Sequence, residues 1–159
     1  MQKIRHPLIV VASLISKAPN LGGLCRTCEI FNAELLVVDN LKIKDDPIFQ
    51  GLAVTADRWM PMLEVKESGL TEYLLKKKEE GYSLLGIEQA TNSVSIERFA
   101  FPKKSVLVLG KERQGITPNL LPLLDHILEI PQYGVIRSLN VHVSGALIVW
   151  EYTKQIALG

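Results

Sequence analysis

The chain has 159 residues, 47% of them apolar, with 18 basic against 17 acidic side chains and a formal charge of +1. That is enough for one compact domain burying ~68–70% of its unfolded surface without disulfides or a structural metal, which excludes disordered, collagen-like and disulfide-scaffold classes. The near-neutral balance excludes a strongly basic field, so any RNA partner would have to be held by local geometry.

The first apolar run, Pro7–Leu14, is β-branched and almost wholly hydrophobic, as expected of a parallel strand covered on both faces. Glu34–Val38, Tyr82–Ile87, Ser105–Leu109 and His126–Ile130 repeat that character. Between them, Leu21–Asn32 has helical spacing with Asn20 placed to cap it, and Pro47–Leu52 and Ser68–Glu80 also read as helices. Pro118–Leu124 is predicted as a short helix capped by Thr117. A final helix, about Asn140–Ile156, is apolar nearly all round and is expected to be buried in the core or against a partner subunit. Five or six parallel strands joined by helical crossovers make an α/β domain, a mostly parallel sheet with helices on both faces. The longest apolar runs, Pro7–Ile15 and Leu139–Trp150, fall short of the ~20 residues that cross a bilayer, so no membrane partner is expected. Two cysteines without a secretory signal fit a reducing, intracellular compartment, cytoplasmic or nuclear. The Lys76–Lys77–Lys78–Glu79–Glu80 run fits a solvated helix face with i,i+4 ion pairs.

Ligands of open α/β sheets sit beyond the carboxyl ends of the strands, so three loops carry the candidate chemistry. In the first, Gly22 and Gly23 open a helix at a propensity loss of roughly 1 kcal/mol each, which asks for a close backbone approach. Arg26, one turn on, either reaches a phosphate or sugar over that glycine surface or is a plain surface arginine. Cys25 and Cys28 form a CxxC spacing too deep in the helix for redox work and are expected to be packing residues, and no metal site is expected. The second loop, Leu109–Ile116, has glycines at 110 and 115 around Lys111–Gln114 but lacks the pattern of a Walker A or dinucleotide loop. Glu112 there can pair with backbone amides or with Arg113. The third, Ile130–Asn140, ends a strand in Pro131, turns at Gly134 and brings Ser138 and Asn140 to a helix start, where they can cap the helix or help cradle a ligand. His142 behind them is a core or interface histidine or touches substrate.

Taken together, Asn20-x-x-Gly23-x-x-Arg26, Leu109-Gly110-x-Glu112-x-x-Gly115-Ile116, and Ile130-Pro131 with Ser138-Leu139-Asn140-Val141-x-Val143 resemble the three ordered motifs of the SpoU/TrmH family of SPOUT-class RNA ribose 2′-O-methyltransferases. The resemblance spans essentially the whole chain. It implies a C-terminal trefoil knot, a topology that general fold rules would not propose. It also implies S-adenosylmethionine as cofactor, S-adenosylhomocysteine as product, and tRNA as substrate, with guanosine 18 of the D-loop the implied target. By resemblance, Leu109, Gly110, Gly115, Ile130, Pro131 and Leu139 contribute to the cofactor cradle. Asn20, Glu112, Ser138 and Asn140 lie at or near the catalytic centre, with Glu112, Ser138 and Asn140 also facing the cofactor. Arg26, working with an RNA phosphate, is implied as the activating residue; because guanidinium stays protonated, positioning and electrostatic stabilisation suit it better than proton abstraction. The family forms homodimers through the knot region, with the arginine completing the partner's site. This chain departs from the family pattern at Asn32, Gln132 and His142. Two other classes stay open at this stage: a knotted RNA- or cofactor-binding domain without catalysis, and an RNA base methyltransferase. The length and neutral charge further suggest one catalytic domain over residues 1–159, cut from a larger protein that supplies the grip on tRNA.

Overall fold

A computed structural model of the chain describes residues 4–136 and 138–159. Seven parallel strands, β1 (His6–Val11), β2 (Ala33–Val38), β3 (Met62–Glu64), β4 (Ser83–Ile87), β5 (Val94–Ser95), β6 (Ser105–Val108) and β7 (His126–Glu129), form one sheet. Their order is β3-β2-β1-β6-β4-β7-β5. To the five strands located from the sequence the sheet adds two edge pieces, β3 and β5, each too short to show an apolar period. Helices α1 (Ala18–Ile30), α2 (Pro47–Ala53), α3 (Leu70–Glu79) and α4 (Val141–Ile156) complete the fold.

Strand β1 shows why its sequence is apolar without alternation. Leu8 and Val10 join Leu24, Cys25, Phe49, Ile148 and Tyr152 in one core, whereas Ile9 and Val11 join Leu70, Leu74, Leu84 and Val106 in another. Helices α1, α2 and α4 thus cover one face and α3 the other, as a buried parallel sheet requires. In register, Leu8–Val11 pairs with Ser105–Val108 of β6 and Ile9–Val11 with Leu35–Val37 of β2. The carboxyl ends of β1 and β6 therefore lie side by side, and the loops after them emerge together.

Two local expectations are corrected and a third is refined. Helix α1 begins at Ala18, with Lys17 rather than Asn20 at its N-cap, because Pro19 suits a first turn. Only Leu121–Leu123 of the Pro118–Leu124 segment is helical, as a 3-10 turn, and Thr117 caps nothing: its buried Oγ1 has no partner among the described residues. The last helix is two-sided. Gly145, Ile148, Val149 and Tyr152 enter the core, while Val143, Leu147 and Trp150 leave an apolar stripe on the surface of the single chain. The core side is held firmly: Tyr152 Oη donates to the Lys103 carbonyl at 2.6 Å, and Gln155 Nε2 donates to the Phe99 carbonyl at 2.9 Å. Among the described residues, no helix is long and apolar enough to cross a membrane.

Candidate active site

The loop after β6 is bent back on itself. The amides of Lys111 and Gly115 each donate to the other's carbonyl, at 2.8 and 2.9 Å, and Arg113 and Gly115 both take left-handed backbone angles (φ 76° and 78°). Glycine is well suited to such a φ, and Gly110 is required for another reason: a Cβ there would run into the backbone of Gly115 and Ile116. Glu88, at the end of β4, accepts from the Ile116 amide at 2.8 Å and secures the loop's exit.

This bend carries Glu112 over the start of α1. Its carboxylate accepts from the amides of Ser16 (3.3 Å) and Lys17 (3.1 Å) and from Asn20 Nδ2 (3.3 Å). The first turn of α1 has no acidic residue of its own, so Glu112 supplies the negative charge that a helix N-terminus favours. Burial alone would raise its pKa, but the hydrogen bonds from the Glu112, Lys17 and Ser16 amides and from Asn20 outweigh burial and lower it.

Asn20, freed from capping, is buried and passes the connection on. Its Oδ1 accepts from Asn140 Nδ2 at 2.9 Å, while Asn140 Oδ1 accepts from the amides of His142 (2.9 Å) and Val143 (3.2 Å) at the start of α4. Each side-chain amide uses its oxygen and its nitrogen, so the pattern fixes the orientation of both. All three candidate loops are thereby tied into one hydrogen-bonded unit.

Above it opens a cleft of about 560 Å³. Of the residues singled out from the sequence, Asn20, Leu109, Gly110, Glu112 and Gly115 line it, joined by Ser138, Leu139 and Asn140. Ile130 instead packs against the core, and Pro131 lines a neighbouring hollow with Gln132 and Tyr133. Arg26 is exposed on α1 and does not line this cleft; it lies six residues beyond Asn20, about 120° round the helix. Sequence reasoning missed Ile87, Ser144 and the supporting Glu88. The signal for Ile87 and Glu88 was their place at a strand's carboxyl end; Ser144, one turn into α4 from Asn140, is visible only from helical periodicity.

The glycine pair does admit a close approach, but of protein rather than phosphate or sugar. The Phe49 carbonyl and Leu52 of α2 cover Gly22, and the His142 ring covers Gly23, each where a Cβ would stand. His142 Nε2 also shares a 2.9 Å hydrogen bond with Thr27 Oγ1, and burial lowers its pKa. Cys25 and Cys28 are both free and buried, and burial foremost pushes the Cys25 thiol up to about 12 and Cys28 upward as well. Neither is poised for redox chemistry. Among the described residues, no group of three or more His, Cys, Asp or Glu side chains converges.

A doubly covered parallel sheet with a cleft at its carboxyl edge, walled by a folded-back glycine loop and the start of a closing helix, defines a ligand-binding α/β domain of the kind that works at strand ends. Residues 7–150 match the SpoU rRNA Methylase family, and the chain belongs to it. It is 57% identical over 152 residues to the mouse tRNA (guanosine(18)-2′-O)-methyltransferase TARBP1 and 51% identical over 152 residues to the tRNA (guanosine(18)-2′-O)-methyltransferase of Saccharomyces cerevisiae. These matches cover 96% and 95% of this chain but only 10% and 11% of those proteins. The crystal structure of the Aquifex aeolicus TrmH/SpoU tRNA modifying enzyme superposes with a TM-score of 0.83 at 28% identity, covering 95% of this chain and 76% of that one. The fold is also that of the SpoU methyltransferase AviRb from Streptomyces viridochromogenes, whose structure contains AdoMet (TM-score 0.81, 20% identity, 99% of this chain and 61% of that one).

Proposed function

We infer that this chain is the catalytic domain of an S-adenosylmethionine-dependent tRNA ribose 2′-O-methyltransferase acting on guanosine 18. The observation that carries this reading is the Glu112–Asn20–Asn140 connection, which draws the three family motifs around a single cleft. The relatives' names supply the nucleotide.

The residues present fit the cofactor. The cleft's volume lies within the ~300–1,000 Å³ usual for small-molecule sites. Ile87, Leu109 and Leu139 offer apolar wall to an adenosyl group, Gly110 has no side chain to fill the space, and Ser138 and Asn140 give polar contacts at the rim. Bound there, S-adenosylmethionine would supply an electrophilic sulfonium methyl group. Glu112 holds the second loop against α1 and so keeps the cleft's wall in place.

The chain must then deliver a ribose hydroxyl and dispose of its proton. A guanidinium is a poor proton acceptor and a good fork of donors, so Arg26 positions an RNA phosphate beside the hydroxyl and stabilises developing negative charge, while the phosphate or another acceptor takes the proton. Its exposure away from its own cleft supports action on a partner's cleft in a homodimer. The apolar stripe Val143, Leu147 and Trp150 on α4 is the surface such a dimer would bury, with the trefoil knot of the family lying beside it. Residues 1–159 act as one domain, whose formal charge of +1 gives it no broad positive field for tRNA phosphates.

Transfer of labelled methyl from S-adenosylmethionine to a tRNA pool, followed by mapping of the modified nucleotide, tests this reading. Label at the ribose of guanosine 18 is expected. Cofactor binding without incorporation would replace it with a noncatalytic role, and label on a base would replace ribose by base chemistry.

A further inference from the structure

A second cleft of about 600 Å³ adjoins the first at the carboxyl ends of β1 and β2, with Lys17, Lys111, Glu112 and Arg113 lining both. Its charges balance: Lys17, Lys111 and Arg113 face Asp39, Glu67 and Glu112. Three carboxylates make it a poor seat for a phosphate, and the paired signs suit a neutral ligand rich in hydrogen-bonding groups. Across it, Lys111 Nζ lies 3.2 Å from Glu67 Oε1, with both side chains partly open to solvent. Asp39 Oδ1 accepts from the Glu67 amide at 3.3 Å, fixing the backbone that presents Glu67. Independently of these charges, Ser13 lines the same cleft although it is only 5% exposed, and its buried Oγ has no hydrogen-bond partner among the described residues. A buried hydroxyl left unpaired is a standing deficit that a polar ligand can relieve.

We propose that this second cleft receives the base of the nucleotide to be methylated and selects guanine, with Glu67 accepting from guanine N1–H and N2–H and Lys111 donating to O6. Resting on the function inferred above, it assigns that function's base specificity. A carboxylate beside an ammonium complements the two adjacent donors and single acceptor of the guanine edge; adenine, cytosine and uracil each present a different order of donors and acceptors. The Glu67–Lys111 ion pair holds the two groups apart from other partners until the base parts them, and Ser13 offers one further hydrogen bond at the cleft's floor. Since this cleft shares Glu112 and Arg113 with the other, a base seated in it places its own ribose near the boundary between the two.

The test compares methyl transfer by the full-length chain to two tRNA transcripts, one carrying guanosine at the target position and one carrying inosine, which lacks only the N2 amino group. The unsubstituted protein should prefer guanosine by about tenfold or more in kcat/KM, and Glu67→Gln should shrink that preference to within about twofold. Glu67 lies outside the cofactor cleft, so calorimetric binding of S-adenosylmethionine to Glu67→Gln should be unchanged, which also reports that the variant folds. Equal use of the two transcripts by the unsubstituted protein, or an undiminished preference in Glu67→Gln, overturns the proposal. Absence of transfer to either transcript, with cofactor bound, overturns the underlying function and the base pocket together.

Discussion

Asn140 donates a 2.9 Å hydrogen bond to Asn20 across 120 residues of chain, joining the first turn of α1 to the cap of α4. Asn140→Ala removes both this bond and the cap for His142 and Val143. The expected loss is about 1–2 kcal/mol of stability, seen as a lower Tm, together with weaker S-adenosylmethionine binding by calorimetry. Asn140→Asp, which keeps an acceptor for the cap but loses the Nδ2 donor, should recover most of the stability and little of the binding.

Glu112 gives the domain an acid-sensitive joint. Its folded pKa is lowered below its ordinary value of 4.5, so the unfolded chain binds the proton first as pH falls. The stabilisation is fully present above 4.5 and is lost as pH drops through the depressed folded value. Thermal melts over this acid range should show a shallower decline of Tm in Glu112→Gln than in the unsubstituted protein; parallel curves would mean that the carboxylate contributes no such linkage.

A second pH dependence, from His142, falls nearer neutrality. Burial disfavours its charged form, so its folded pKa lies below the ordinary 6.5 and stability declines as pH falls below 6.5, levelling under the folded value. His142→Gln should flatten that part of the Tm profile, and its curve should converge on the behaviour of the remaining groups.

The His142 ring occupies the space where a Cβ on Gly23 would stand. Gly23→Ala should therefore destabilise by about 1–3 kcal/mol, as overpacking of a rigid contact does. Combining it with His142→Ala should cost less than the sum of the two single substitutions, because the smaller side chain vacates the contested space. Denaturant midpoints of the four proteins give the coupling directly, and strict additivity would contradict the packing.

For Arg26, the expectation is loss of catalysis without loss of fold. Arg26→Ala should lower methyl transfer by about 100-fold or more with an unchanged Tm, and Arg26→Lys should recover only a fraction, since an ammonium lacks the planar fork. Mixing Arg26→Ala with Asn140→Ala, whose own cleft binds cofactor weakly, should give more activity than either parent if each arginine serves a partner's cleft. Mixtures no more active than their parents would place Arg26 in service of its own chain.

Much of the sheet was legible because a strand buried on both faces must be apolar throughout, and Leu8–Val11 and Val106–Leu109 say so residue by residue. The edge strands β3 and β5 were not, since two or three residues carry no period and their pairing depends on neighbours distant in sequence. Asn20 illustrates a different limit. An asparagine beside a helix start has a local use as a cap, and only the arrival of Glu112 and Asn140 decides that its side chain is spent across the fold instead. The glycine pair shows the same: propensity revealed that something approaches closely, while the identity of the approaching groups, Phe49 and His142, belongs to tertiary structure. Ser138 and Asn140 could be placed near a ligand because a helix start concentrates polar groups, whereas Leu139 followed only from the family resemblance.

The contact of Asn20 with Asn140 also orders events in time. During synthesis α1 emerges early, yet its buried amide has no Asn140 to meet until the chain has grown far beyond the sheet's first strands. A contact of that span carries a large loop-closure cost unless the intervening elements are already in place. The cleft cannot be complete until α4 has been made and docked, because a nascent chain that ends after β7 lacks the wall formed by Ser138, Leu139, Asn140, Val141 and Ser144. Ligand affinity in this protein is a signature of completed folding.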